Sequence, residues 1–258
     1  MELKNIDTVL ITQARCGSTR LPNKILKEIE GKTLLEIQVE RIKKSNTIDD
    51  FYIATTTNEE DGLVESLAQK LGVKCFRGSE NDVLDRFYQT IVNIQPKYVI
   101  RVTSDCPLID PALIDEIVTE AKKSGLDYYA NILEERYPDG QDIEVFTFQA
   151  LERAWKQAKL ASEREHVTPF IRVNSSFLNG KLFKSGSHRC AQDYSQVRLT
   201  VDEMTDFKVI ERLIRELGFD ATWKEYADYY LMHDEIHSMN SSITRNEGYI
   251  KSISKDFD

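Results

Sequence analysis

The chain has 258 residues, with 34 Lys and Arg against 43 Asp and Glu, for a formal net charge of −9. That balance excludes the broad basic face of a nucleic-acid coat and leaves a polyanionic small molecule only where a local cation cluster overrides it. A hydrophobic content of 41% and a charged content of 30% fit a globular chain able to bury a full core. No apolar run reaches the length of a membrane span, and MELKNIDTVLITQARCGSTR lacks a secretory leader's layout, so a cytoplasmic protein is expected.

In chain order, 8–12, 51–56, 73–76 and 97–102 are short β-rich runs. Between them, 33–44, 59–71 and 82–94 carry apolar residues at helical spacing; Leu34, Leu35, Ile37, Val39 and Ile42 mark the buried side of the first. A further helix is expected from Pro111 to about Lys123. This alternation predicts an α/β fold, a doubly wound sheet of parallel strands with helices on both faces. From about 126 to 190 the pattern changes: LDYYANI and IEVFTF are expected strands around the turn-rich ERYPDGQD. Helices follow near 149–160 and 164–173, with a strand at 180–184. This region is expected to be a small insert within a single domain covering 1–258, contacting an acceptor or a second copy. VRLTVD at 197–202 is expected to return to the sheet before a helix over 204–217. The aromatic, then polar, end is expected to lie across the body or a partner.

The first strand runs into Ala14, Arg15, Cys16, Gly17, Ser18, Thr19, Arg20, Leu21, Pro22, Asn23 and Lys24. A loop at the carboxyl end of the first strand of an open α/β sheet is where ligands bind. Gly17 and Ser18 let backbone N–H groups approach phosphates, and Arg15, Arg20 and Lys24 supply compensating charge. An ordinary basic surface loop has the same composition. There is no G-x-G-x-x-G fingerprint, and Gly31-Lys32-Thr33 lacks a P-loop's earlier glycine, that position holding Leu26.

A second constellation, Arg101 to Pro111, places Thr103, Ser104 and Asp105 at the end of an expected central strand. A carboxylate there meets nucleotide phosphates through Mg²⁺, which takes one or two carboxylates together with phosphate oxygens. Asp110, just before Pro111, fits a helix cap better. Asp202 ends another expected strand and shares a metal site with Asp105 if those strands are neighbours, whereas Asp206 fits the first turn of the next helix. Cys16, Cys75, Cys106 and Cys190 have no CxxC or zinc spacing and are expected to be reduced, mostly structural thiols; Cys16 and Cys106 fall inside the two motifs, where either can react with thiol reagents without being catalytic.

Taken together, Arg15-x-x-Ser18-Thr19-Arg20-Leu21-Pro22-x-Lys24 and Arg101-x-Thr103-x-Asp105-x-Pro107-Leu108-Ile109-Asp110 resemble the cytidylyltransferase family, which includes the 3-deoxy-manno-octulosonate (Kdo) and acylneuraminate enzymes. Tyr137-Pro138-x-Gly140-x-Asp142-x-Glu144, Arg164-Glu165-His166-Val167-Thr168-Pro169 and Arg198-x-Thr200-Val201-Asp202 bring the resemblance closest to the spore-coat polysaccharide branch. The motifs run in family order over about 8–215. The resemblance implies a Rossmann-like nucleotidyltransferase fold of the glycosyltransferase-A-like kind, CTP, Mg²⁺ and a homodimer. By position, Arg15 and Lys24 would bind the triphosphate, with Ala14, Gly17, Ser18, Arg20, Thr103 and Ser104 around the nucleotide. Asp105 and Asp202 would hold the metal. Ser104 departs from the glycine usual in the related branch.

The middle motifs face the acceptor. Asp142 and Glu144 alternate with apolar residues and are expected on one strand face, either exposed or towards an acceptor; His166 is a candidate acceptor contact, although a packed or helix-end histidine fits the same position better. His188, His233 and His237 have no ligand-like arrangement. The expected reaction is attack of an acceptor oxygen on the α-phosphorus of CTP with loss of pyrophosphate. The resemblance favours as acceptor a sugar acid of the 2-keto-3-deoxy type, for cell-surface polysaccharide; a sugar or polyol phosphate giving a CDP-linked product is the alternative. A nucleotide-sugar-dependent glycosyltransferase is a rival, although its D-x-D motif is matched only loosely by Asp142-Ile143-Glu144; a non-catalytic nucleotide binder is another.

Overall fold

Val9, Leu10 and Ile11 are all fully buried, because the first strand is covered on both faces. The computed structural model describes residues 6–256. β1 (Thr8–Gln13) leads through a long loop to a small ribbon of β2 (Glu28–Ile29) and β3 (Lys32–Thr33). There follow α1 (Leu34–Ile42), β4 (Asp50–Thr56), α2 (Gly62–Lys70), β5 (Lys74–Gly78), α3 (Val83–Ile91), β6 (Tyr98–Thr103) and α4 (Pro111–Ser124). The middle contributes β7 (Tyr128–Ala130), β8 (Glu144–Thr147), α5 (Phe148–Gln157), α6 (Ala161–His166), α7 (Pro169–Val173) and β9 (Ser185–Ser187). The chain closes with α8 (Met204–Leu217), α9 (Trp223–Met232), α10 (Asp234–Asn240) and α11 (Glu247–Lys255).

One seven-stranded sheet has the order β5-β4-β1-β6-β8-β7-β9. Its first four strands are parallel, as crossover helices require. β8 runs antiparallel to both β6 and β7, so the start of β8 lies beside the end of β6, with Glu144 opposite Arg101. The region expected to be an insert therefore extends the main sheet. Side-chain alternation sends Val9, Ile11, Val99 and Phe146 towards α3, α5 and α7. Leu10, Ile100, Val102 and Val145 pack with α4 on the other face, and α8 and α9 form a further layer against Leu34 and Ile37 of α1.

Three expectations are corrected. Residues 197–202 do not rejoin the sheet. Val201 N donates to Asp105 O (2.8 Å) and Leu199 N to Asp139 O (2.7 Å), so the segment satisfies its backbone against two loops. The strand expected at 180–184 lies later, at β9, where Ser-Gly-Ser pairs with β7 through backbone alone. The helix expected over 164–173 breaks at Val167, which has φ 71°, a left-handed conformation rare for a β-branched residue. Among the described residues no helix is long and apolar enough to cross a membrane.

Candidate active site

The loop after β1 is fastened at few points. Ala14 N donates to Ala54 O (3.1 Å), and Cys16 N donates to the buried Asp61 carboxylate (2.7 Å). Cys16 O then accepts from Ser18 N (2.7 Å) and Asn23 N (3.2 Å), and Ser18 Oγ accepts from Leu21 N (3.4 Å). The N–H groups of Gly17, Thr19 and Arg20 have no partner among the described residues, which suits a loop that wraps phosphate oxygens. Gly17 lies close to Glu60, whose Oε1 would stand 3.3 Å from a Cβ at this position.

Lys24 opens a short 3-10 turn after left-handed Asn23, and its ammonium sits between the two acids singled out in the sequence. Nζ lies 2.9 Å from Asp202 Oδ1, 3.5 Å from Asp105 Oδ2 and 2.9 Å from Val201 O. Burial disfavours its charge, but Asp105 and Asp202 more than offset this and raise its pKa. Burial would likewise raise Asp105, yet Lys24, Thr103 and Cys106 hold its carboxyl below the ordinary range. The acids converge because Val201 N and Thr200 Oγ1 both donate to Asp105 O, at 2.8 and 3.1 Å, although their segments do not pair as strands.

Arg20 joins the cluster, 3.0 Å from Asp202 Oδ1, and also reaches Glu247 Oε2 at 3.3 Å. Arg15 does not join it. Its guanidinium pairs with Glu80 at 2.8 Å on the loop after β5. Arg198 supports Asp202 from behind (3.3 Å) while bonding buried Asp206 and Asp139. Asp206 lies in the first turn of α8 and accepts from Asp202 N (2.9 Å) and Glu203 N (3.0 Å). Asp110 caps α4, accepting from Ala112 N and Leu113 N at 2.8 and 3.2 Å.

Gln38 of α1, which the sequence did not mark, ties the ends of β1 and β6 together. It accepts from Thr12 Oγ1 (3.1 Å) and donates to Thr103 O (2.6 Å) and Cys106 O (3.1 Å). Ser104 N donates to Gln13 O at 3.3 Å. Gly140, at φ 105°, lets its loop lie on the Asp202 segment. A Cβ there would fall 2.6 Å from Leu199 C, a clash with backbone that cannot move aside.

The second half of the edge carries Asp142, Glu144 and His166. Asp142 precedes β8 and pairs with Arg245 at 2.7 Å; burial and neighbouring carboxylates raise its pKa against the pull of Arg245. Glu144 is buried, held by Arg101 (2.6 Å) and the Tyr128 hydroxyl. His166 ends α6 with Nε2 3.0 Å from Ser252 Oγ. Burial, with Arg101 and Arg172 nearby, lowers its pKa to about 4, so the ring is neutral near pH 7. Cys16 and Cys106 fit the structural reading of the thiols: both are buried at 3% and 2% exposure, and burial beside Asp61 and Asp105 respectively raises both.

Among the described residues no three His, Cys, Asp or Glu side chains gather in a metal-holding group. Two convergent carboxylates with a cation already between them fit an ion that completes its shell with phosphate oxygens. The edge thus brings together a loop with unpartnered N–H groups, a paired-acid centre and a second group of polar residues around Asp142, Glu144 and His166. Arg245, Tyr249 and Ser252 of the C-terminal segment were not singled out in the sequence, because they belong to none of its motifs and α11 buries no residue.

The sequence profile of the family described as Cytidylyltransferase matches residues 9–236. An uncharacterized protein of Methanocaldococcus jannaschii is 38% identical over 242 residues, covering 93% of this chain and 96% of its own. The spore coat polysaccharide biosynthesis protein SpsF of Bacillus subtilis is 34% identical over 222 residues, covering 82% and 88%. A solved structure titled as a cytidylyltransferase from Leptospira borgpetersenii superposes with a TM-score of 0.84 at 30% identity, covering 93% of this chain and 100% of that chain.

Proposed function

Since this chain belongs to the cytidylyltransferase family and is a nucleotidyltransferase, we propose that it transfers CMP from CTP to an acidic sugar of the 2-keto-3-deoxy type, for cell-surface polysaccharide. The observation that carries the reading is the Lys24 ammonium between Asp105 and Asp202, at the mouth of a loop with unpartnered N–H groups. The ordered motifs shared with the Kdo and acylneuraminate enzymes support the acidic acceptor.

An acceptor hydroxyl oxygen forms a bond to the α-phosphorus, the α–β phosphoanhydride bond breaks, pyrophosphate leaves and the hydroxyl proton is released. The N–H groups of Gly17, Thr19 and Arg20 hold phosphate oxygens, while Lys24 and Arg20 neutralise charge on the leaving pyrophosphate. Arg15, on its exposed arm, swings from Glu80 to the triphosphate. Ala14, Ser18, Thr103 and Ser104 shape the nucleotide's bed. Asp105 and Asp202 would hold Mg²⁺, which when bound supplies charge neutralisation at the phosphates. Gln38 and Arg198 fix these groups in place, and Asp142, Glu144 and His166 border the acceptor's chamber. A homodimer is the expected assembly, read by light scattering.

The test is pyrophosphate release with Mg²⁺ and each of the four nucleoside triphosphates, against sugar acids and sugar phosphates. Release confined to CTP and an acid is the expected result. Release with a sugar phosphate alone transfers the reaction to CDP-linked products, and absence of CTP binding overturns the reading.

A further inference from the structure

A nine-residue helix is not stable by itself in water, and α11 buries none of its residues, so its contacts must hold it in place. Those contacts are with the candidate site. Just before the helix, Arg245 bonds Asp142 (2.7 Å) and the carbonyl of Tyr137 (3.1 Å), while its Nε is buried without a partner. Glu247 takes one arm of Arg20 at 3.3 Å, and Ser252 meets His166 at 3.0 Å.

Tyr249 stands edge-on to His166, with ring centroids 5.1 Å apart at 80°. The Arg172 guanidinium of α7 lies 5.0 Å over the same Tyr249 ring. Arg101 is matched by Glu144 and Arg245 by Asp142, whereas no carboxylate lies within ion-pair distance of Arg172 among the described residues. Tyr249 holds the guanidinium by its ring and by a side-chain hydrogen bond, and the donors it does not take match a carboxylate.

Resting on the transfer reaction set out above, we propose that the C-terminal segment 245–252 is the acceptor-selecting wall of the site, with Tyr249 orienting Arg172 to bind the carboxylate of the sugar acid. A lone guanidinium without an ion-pair partner of its own, its charge favoured against burial by nearby Tyr128, Glu144 and Tyr249, suits the single negative charge of a carboxylate better than a phosphate dianion. His166, neutral near pH 7, adds a hydrogen-bonding group without a second positive charge. The wall lies beyond the matched family region, which ends at residue 236, so acceptor choice resides partly in a segment the family profile does not cover.

The experiment uses the full chain as wild type, Arg172→Lys, Tyr249→Ala and, as a control at an exposed neighbour, Ile250→Ala. Pyrophosphate release is measured with MgCTP and either 3-deoxy-manno-octulosonate or N-acetylneuraminate, with thermal melting to check folding. The expected result is release with an acid in wild type and a roughly tenfold or greater rise in acceptor KM for both Arg172→Lys and Tyr249→Ala. CTP KM stays within about twofold, and Ile250→Ala is unchanged. Release in wild type with acceptor KM unaltered in both folded variants overturns the wall and leaves the transfer reaction standing. Wild-type release with neither acid overturns the acid reading and the wall with it, and is seen before any variant is compared.

Discussion

The Arg198 guanidinium grips Asp206 with two nitrogens, Nε at 2.9 Å and Nη2 at 3.0 Å, and both residues are buried. The fork also reaches Asp139 at 2.7 Å, so one side chain joins the loop before β8 to the start of α8. Asp202 hangs from this frame through its backbone, which donates to Asp206, and through its outer carboxylate oxygen.

Arg198→Met therefore strands two buried carboxylates, and the expected loss is about 3–5 kcal/mol of stability, measured by urea unfolding. Arg198→Lys retains the charge but not the fork and should fall between. A loss below about 1 kcal/mol in the methionine variant would show that the frame does not depend on this residue.

Asp105→Asn keeps the shape of the side chain and leaves Lys24 with Asp202 as its partner. Folding should survive while turnover drops by on the order of 10²-fold or more, read as pyrophosphate release from CTP. Near-normal turnover would remove Asp105 from the metal-holding role.

His166 gives a pH dependence of definite sign. Its folded pKa of about 4 lies below the ordinary 6.5, so between these values the unfolded chain binds a proton that the folded chain refuses. Stability from this residue is complete above pH 6.5 and declines as pH falls towards 4. Relative to His166→Gln, the wild type should lose no more than about 3 kcal/mol across that window. A flat difference between the two proteins in denaturant titrations at pH 4, 5, 6 and 7 would contradict the buried, neutral ring.

The thiols of Cys16 and Cys106 should resist iodoacetamide at neutral pH. Burial first, and then neighbouring carboxylates, hold Cys16 up at about 12 and Cys106 well above its ordinary value. Peptide mass spectrometry should find both unlabelled in the native protein when the denatured chain labels all four cysteines. Rapid native labelling of Cys16 would mean that the phosphate loop opens readily.

The parallel half of the sheet was legible because its strands are covered on both faces and so appear as continuous apolar runs such as Val9-Leu10-Ile11. The 197–202 segment has equally apolar residues, but they are buried under α8 and α9, and hydrophobicity does not reveal which backbone receives its hydrogen bonds. β9 left the opposite problem, since Ser185-Gly186-Ser187 pairs without an apolar signal. In the site, Lys24, Asp105 and Asp202 met as their motifs implied, whereas the Arg20–Glu247 pair joins residues 227 positions apart that share no motif. Glu144 was expected on a strand face that either lies exposed or meets an acceptor; it is buried and paired with Arg101, a pairing fixed by strand register rather than by local sequence.

The reversal of β8 has a consequence for how such a site diversifies. Parallel strands deliver their working residues where they end, and an antiparallel neighbour delivers them where it begins, so Asp142 and Glu144 reach the same rim from the opposite chain direction. The connection between β7 and β8 serves two neighbours at once: Asp139 and Gly140 hold the Asp202 segment through Arg198 and Leu199, and Asp142 then turns to the rim. A change on the acceptor half of the rim must therefore keep those two positions if the other half is to retain its hold on the nucleotide.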